Sequence, residues 1–132
     1  MKLLRLVLYW QAAVWAASGV GLALLPAPII HDLFDQPEPP DYAWVQLVGI
    51  LVFGMSTLMV LVGHRIEELW WWSWSFVLTG ASIAVLAVLN AAAGLPPGVS
   101  SSLWWLIGGV SGLFTLGLVA GLAITGTQRS VV

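Results

Sequence analysis

The chain has no cysteine and few charges, and each absence narrows what it can be. Without a thiol there is no disulfide exchange, thiolate metal site, cysteine nucleophile or palmitoylation. Only 8% of the residues are charged, where a soluble globular domain carries about 25%. The formal net charge is −2 and no basic cluster forms, so nucleic acid binding and polybasic lipid capture have no support. Also missing are the short alternating segments of a membrane β-barrel.

What the 132 residues hold instead is long apolar runs, with 60% of the chain hydrophobic. A helix bundle in lipid is the form that satisfies the backbone of such runs internally. The expected fold is all-α, a single domain of four transmembrane helices, at about 20 apolar residues per crossing. The spans are expected at about 3–25, 42–63, 69–93 and 102–125. The first of them is read as a span rather than a secretory signal, because the run from Leu6 to Leu25 exceeds the roughly 7–15 residues of a signal core.

The polar hinge of the chain is His64 to Trp74 (HRIEELWWWSW), between the second and third spans. Four crossings put both termini and this hinge on one side. All four basic residues, Lys2, Arg5, Arg65 and Arg129, fall there. The positive-inside rule then makes that side cytoplasmic and the protein a multi-pass component of the cell's inner membrane.

The opposite side carries two loops. In the first, Pro26 and Pro28 should end the opening span, and Ile29 to Phe34 can form a turn or two of helix lying in the interface. His31, Asp32 and Asp35 should face water there. Pro37 to Pro40 reads as extended chain leading to Asp41, which can cap the second span. The second loop, Gly94 to Ser102, is uncharged turn chemistry with serines to cap the fourth span.

An apolar first span closing on Leu24, Leu25 and Pro26, a short amphipathic turn, and a second span with Gln46 to Gly54 (QLVGILVFG) resemble the DoxX-like group of small four-helix bacterial inner-membrane proteins and their uncharacterised relatives. The likeness covers the first half of the chain. It implies a four-helix fold and no assigned chemistry. Such relatives often carry an arginine near the start of the second span where this chain has Gln46, so no site built on that arginine is carried over.

Helical spacing gives every span one polar or small stripe. These are Gln11, Trp15, Ser18 and Leu22, beside Ala12, Ala16, Gly19 and Ala23, in the first span; Gln46, Gly49, Phe53, Ser56 and Val60 in the second; Ser75, Thr79, Ser82 and Leu86, with Asn90 nearby, in the third; and Gly108, Ser111, Thr115, Leu118 and Leu122 in the fourth. The stripes should face one another, with hydroxyls bonding across helices. By depth, Gln11, Thr57, Ser75 and Thr79 form a cytoplasmic layer. Ser18, Gln46, Asn90 and Ser111 form an outer one, where, with Trp44, Trp104 and Trp105 at the rim, a lipid, quinone or carotenoid could sit.

The fourth span has two glycine pairs, Gly108 with Gly112 and Gly117 with Gly121, pointing to nearly opposite sides. One is expected to serve the bundle, and the other, Gly117 and Gly121, a partner helix. Trp70, Trp71, Trp72 and Trp74 wrap the third span, part anchoring at the interface and part meeting a neighbour. Glu67 and Glu68 suit a helix N-terminus. Met55 and Met59 are packing rather than copper ligands, with no further soft ligand near.

Reactive groups are scarce. His31 and His64 lie on opposite sides, so they cannot share a metal or a haem, and no ionisable residue lies in the central part of any span. His31, Asp32, Asp35 and Glu38 are read as a solvated acidic loop rather than a cation site. No catalytic residue, metal or cofactor is therefore expected. The leading expectation is a non-enzymatic membrane protein whose partners are the lipid bilayer and other membrane subunits, or further copies of itself. The alternative is a carrier of a small hydrophobic molecule.

Overall fold

The computed structural model describes the backbone of residues 1–130 and the side chains of residues 1–127; the Arg129 side chain, counted above among the basic groups, lies outside them. The helices are α1 (Lys2–Leu24), α2 (Ala43–His64), α3 (Ile66–Leu69), α4 (Ser73–Leu89) and α5 (Ser102–Ser130). A 3-10 turn, Trp70–Trp72, links α3 to α4, and a π-helical turn, Asn90–Gly94, extends α4. There is no strand among the described residues. Four segments are long and apolar enough to cross a membrane: Lys2–Leu24, Ala43–His64, Ile66–Gly94 and Ser102–Thr127.

Local chemistry sets these ends. α1 stops at Leu24 because Pro26 lacks an N–H and pushes Leu25 out of helical geometry, to φ −130°. Asp41 Oδ1 accepts the Ala43 N–H at 2.9 Å and opens α2. Only Arg65 breaks the helix between α2 and α3. The third span therefore begins at Ile66, three residues before the expected start, with Glu67 and Glu68 in its first turn. In the last loop Gly98 takes φ 85° and the Val99 N–H bonds the Pro96 carbonyl at 3.3 Å, a type II turn that needs glycine there.

The helices pack as two antiparallel pairs, α1 on α2 and α4 on α5, joined chiefly through α1 and α5. The end holding residue 1, Arg65 and the last turn of α5 is called the hinge end; the other is the loop end. Nearly all large buried side chains lie toward the hinge end: Leu4 and Leu8, Met59 and Val62, Ile66, Phe76, Leu118 and Leu122. Toward the loop end the buried residues of the helices are small, Gly19, Gly49, Ala87, Gly108 and Ser111. Packing of this kind, rather than burial from water, holds helices together in lipid.

Two expectations are corrected. The Ser75, Thr79, Ser82 and Leu86 stripe faces out of the bundle, with Leu86 66% exposed; α4 turns Ser73, Phe76, Gly80 and Ala87 inward instead. The hydroxyls of the first three stripes also bond within their own spans and not across helices. Ser18, Ser56, Thr57, Ser75, Thr79 and Ser82 each donate to a carbonyl three or four residues earlier in the same helix. A hydroxyl satisfied by its own backbone can face lipid, so its polarity does not dictate which way the helix turns.

Candidate functional site

Four features are candidates: the glycines of α5, the tryptophan block, the loop-end polar layer and a groove between α1 and α2. The glycines come first. A Cβ on Gly121 would meet the Leu4 backbone and side chain at 3.0–3.2 Å, and one on Gly117 would meet Val7 at 3.2 Å. The strip expected to be free for a partner is thus filled by α1, since these glycines are what lets α1 approach. Gly108 faces α4, where a Cβ would meet Val88 Cγ2 at 2.9 Å. A Cβ on Gly109 or Gly112 would meet nothing within 4 Å beyond its own stretch of helix. With Leu116, Ala120 and Ala123 they share one face of α5, and Leu116 is 69% exposed. That open strip escaped the sequence reading because glycine pairs were sought only at four-residue spacing.

The tryptophan block divides. Trp70 packs against the bundle's own core and is corrected as a partner residue. Trp71, Trp72 and Trp74 are exposed, the first two with ring centroids 5.2 Å apart.

Two of the loop-end polar residues are spoken for. Ser18 donates to the Val14 carbonyl, and Gln46 Nε2 reaches across to the Ala23 carbonyl at 3.1 Å. Asn90 opens the π-helical turn. Ser111 is buried, the Trp104 indole N–H is buried without a partner, and Trp105 is exposed.

A groove of about 410 Å³ lies between α1 and α2. Tyr9, Ala12, Ala13 and Ala16 form one wall and Phe53, Ser56, Thr57 and Val60 the other. Because the Ser56 and Thr57 hydroxyls are turned to the Phe53 and Gly54 carbonyls at 2.6 and 2.7 Å, the surface it presents is apolar. At the hinge end, Arg5 Nε donates to the Gly63 carbonyl at 3.1 Å and the Tyr9 ring covers Gly63. Spacing of i, i+4 and i+7 from Tyr9 through Ala13 and Ala16 carries this wall in the sequence, with Arg5 one turn beyond Tyr9. It was missed because the alanines were assigned to helix contact.

At the loop end His31 Nδ1 sits 3.1 Å from the Gln36 carbonyl, and Nε2 lies 3.9 Å from Glu38 Oε1. Gln36 is buried and its Nε2 donates to the Ser100 carbonyl at 2.8 Å, tying the two loops together. Asp35, at φ 49°, makes the bend that allows this. His31 and His64 stand at opposite ends, and no group of three His, Asp or Glu side chains is disposed to hold a metal among the described residues.

The His31 pKa is raised above 6.5, first by the bond to the Gln36 carbonyl, with Glu38, Asp32 and Asp35 adding to it and partial burial opposing. A raised value means that the loop stabilisation is fully present below 6.5 and is lost as pH rises through the folded-state pKa. Amide exchange at Phe34 and Gln36, corrected for intrinsic rate, is therefore expected to accelerate between about pH 6 and about pH 8.5. In His31→Ala that pH dependence should vanish. Equal protection at both pH values in the wild type would contradict it.

No protein-family description, curated protein or solved structure matches this chain.

Proposed function

We propose that this protein is a non-enzymatic component of the inner membrane, with both termini cytoplasmic, that works by lateral helix association, as an accessory subunit of a larger complex or as a self-assembling bundle. One observation carries the reading: the open small-residue face of α5, Gly109, Gly112, Ala120 and Ala123, in a bundle whose inward-facing glycines are occupied by its own helices. Small residues let backbones approach closely, which is how helices associate in lipid. Exposed Trp71, Trp72 and Trp74 at the hinge end add surface suited to a neighbour. The orientation rests on Lys2, Arg5, Arg65 and Arg129. The loop-end polar layer lends the carrier reading no comparable support, since Ser18 and Gln46 are already bonded within the first helix pair.

The test is Gly109→Leu/Gly112→Leu, with Gly54→Leu as control, because Gly54 is also open but lies on α2. Native mass spectrometry of protein released gently from its own membrane should show about tenfold weaker assembly in the double variant, matching roughly 1.4 kcal/mol of lost packing. The control should assemble as wild type does. Unchanged oligomer size and unchanged co-purifying chains in the double variant would sink the reading.

A further inference from the structure

The groove between α1 and α2 is a short apolar trough, closed toward the loop end. Its α1 wall runs from Tyr9 to Ala16, about 10 Å at about 1.5 Å per residue, or about a third of a roughly 30 Å hydrocarbon core. It closes toward the loop end, just beyond Ala16, where a Cβ on Gly19 would lie 2.6 Å from the Gly49 carbonyl oxygen and the two backbones touch. A transmembrane partner helix needs a face that continues through the membrane, and this one covers only about two turns of each helix. An acyl chain from one leaflet needs no more than this.

The mouth of the groove is cationic. Lys2 and Arg5 share the face of Tyr9, Ala12 and Ala16 by helical spacing, and His64 shares the face of Phe53, Thr57 and Val60. Arg5 spends its Nε on the Gly63 carbonyl, which fixes the side chain at the hinge end. The ion pairs among the described residues are His31 with Glu38 and Arg65 with Glu68, so neither Lys2 nor Arg5 has a carboxylate partner there. A held guanidinium with terminal N–H groups unspent, above an apolar trough, complements a phosphate attached to an acyl chain.

We infer that the α1–α2 groove binds one anionic phospholipid from the hinge-end leaflet, with its phosphate on Arg5 and Lys2 and an acyl chain along Ala13 and Ala16. This is a built site with two cations at its mouth, not a polybasic surface segment. It stands apart from the open face of α5, so either can fail alone.

Purified protein is offered equal amounts of dioleoylphosphatidylglycerol and dioleoylphosphatidylcholine in detergent, and retained lipid is counted by native mass spectrometry. The wild type should keep one phosphatidylglycerol per chain, preferred about fivefold or more. Arg5→Gln should bring that preference close to one. Ala13→Phe, which fills the trough, should lose retained lipid of both kinds. Leu78→Phe, on the outer face of α4 where Leu78 is 71% exposed, should behave as wild type. Equal retention of the two lipids by the wild type overturns the proposal, whether or not the variants fold. So does phosphatidylglycerol retained undiminished in Ala13→Phe. A changed oligomer size in Ala13→Phe with lipid count unaltered makes the groove a protein contact and overturns it too.

Discussion

Gly49→Leu is expected to separate the first helix pair and to lower stability by about 3 kcal/mol or more, the upper range for overpacking a tight contact. A Cβ at position 49 would stand 2.7 Å from the Gly19 carbonyl oxygen and 2.7 Å from the Ala23 backbone nitrogen. One at position 19 would meet the Gly49 oxygen at 2.6 Å and the Phe53 nitrogen at 2.7 Å. These are backbone atoms inside helices, so they yield only if the whole crossing opens. Opening it also stretches the Gln46 bond to Ala23, one turn away. Gly21 makes the contrast: its Cβ would meet only the tip of Ile29, Cδ1 at 2.7 Å. That side chain can rotate aside, so Gly21→Ala should be close to neutral. Thermal unfolding in detergent, with a cross-link between α1 and α2 as readout of the crossing, separates these outcomes. A Gly49→Leu protein that melts with the wild type would show that the two backbones do not touch.

Gln11→Met should do the opposite and stabilise the bundle. Gln11 is 1% exposed and its Oε1 has no hydrogen-bond partner. A buried acceptor left unpaired costs about 1–3 kcal/mol, and methionine fills nearly the same space with an adaptable apolar chain. The register in which Leu4 meets Gly121 and Val7 meets Gly117 carries Gln11 to the level of Phe114, in the middle of the span. No water is available in the surrounding hydrocarbon to take over the bond. The expected gain is about 1 kcal/mol or more, read as a higher unfolding midpoint in the same detergent. A lower midpoint for Gln11→Met would mean that the amide is satisfied in the folded protein.

Span lengths were legible in the sequence because apolar length is a property of composition along the chain. The second span was expected at 42–63 and runs Ala43–His64. The loop chemistry was legible for a similar reason: Asp41 and Ser100 accept the N–H groups of Ala43 and Ser102, contacts made within two residues. Helix rotation was harder to read, because lipid and the bundle interior are equally apolar and the sequence pattern carries little contrast between them. In α5 the expected inward residues Gly108, Ser111, Leu118 and Leu122 are buried. In α4, Ser75 and Ser82 misled, since each bonds to a carbonyl of the preceding turn. The groove was illegible because it depends on how far α1 and α2 diverge from the Gly19–Gly49 contact. That distance is set by side-chain size at several positions together.

The joining of α1 to α5 bears on how the chain is made. Leu4 and Leu8 are made long before Leu118 and Leu122, the residues that complete their packing. The α1–α2 pair can close as soon as Gly49 follows Gly19. The hinge-end core must wait through the synthesis of everything between. Until then α1 keeps an unfilled face in the bilayer, and it is the glycines of α5, Gly117 and Gly121, that shut it. An interrupted chain therefore leaves a well-formed hairpin with one sticky side, the kind of intermediate that quality control in the membrane is built to find.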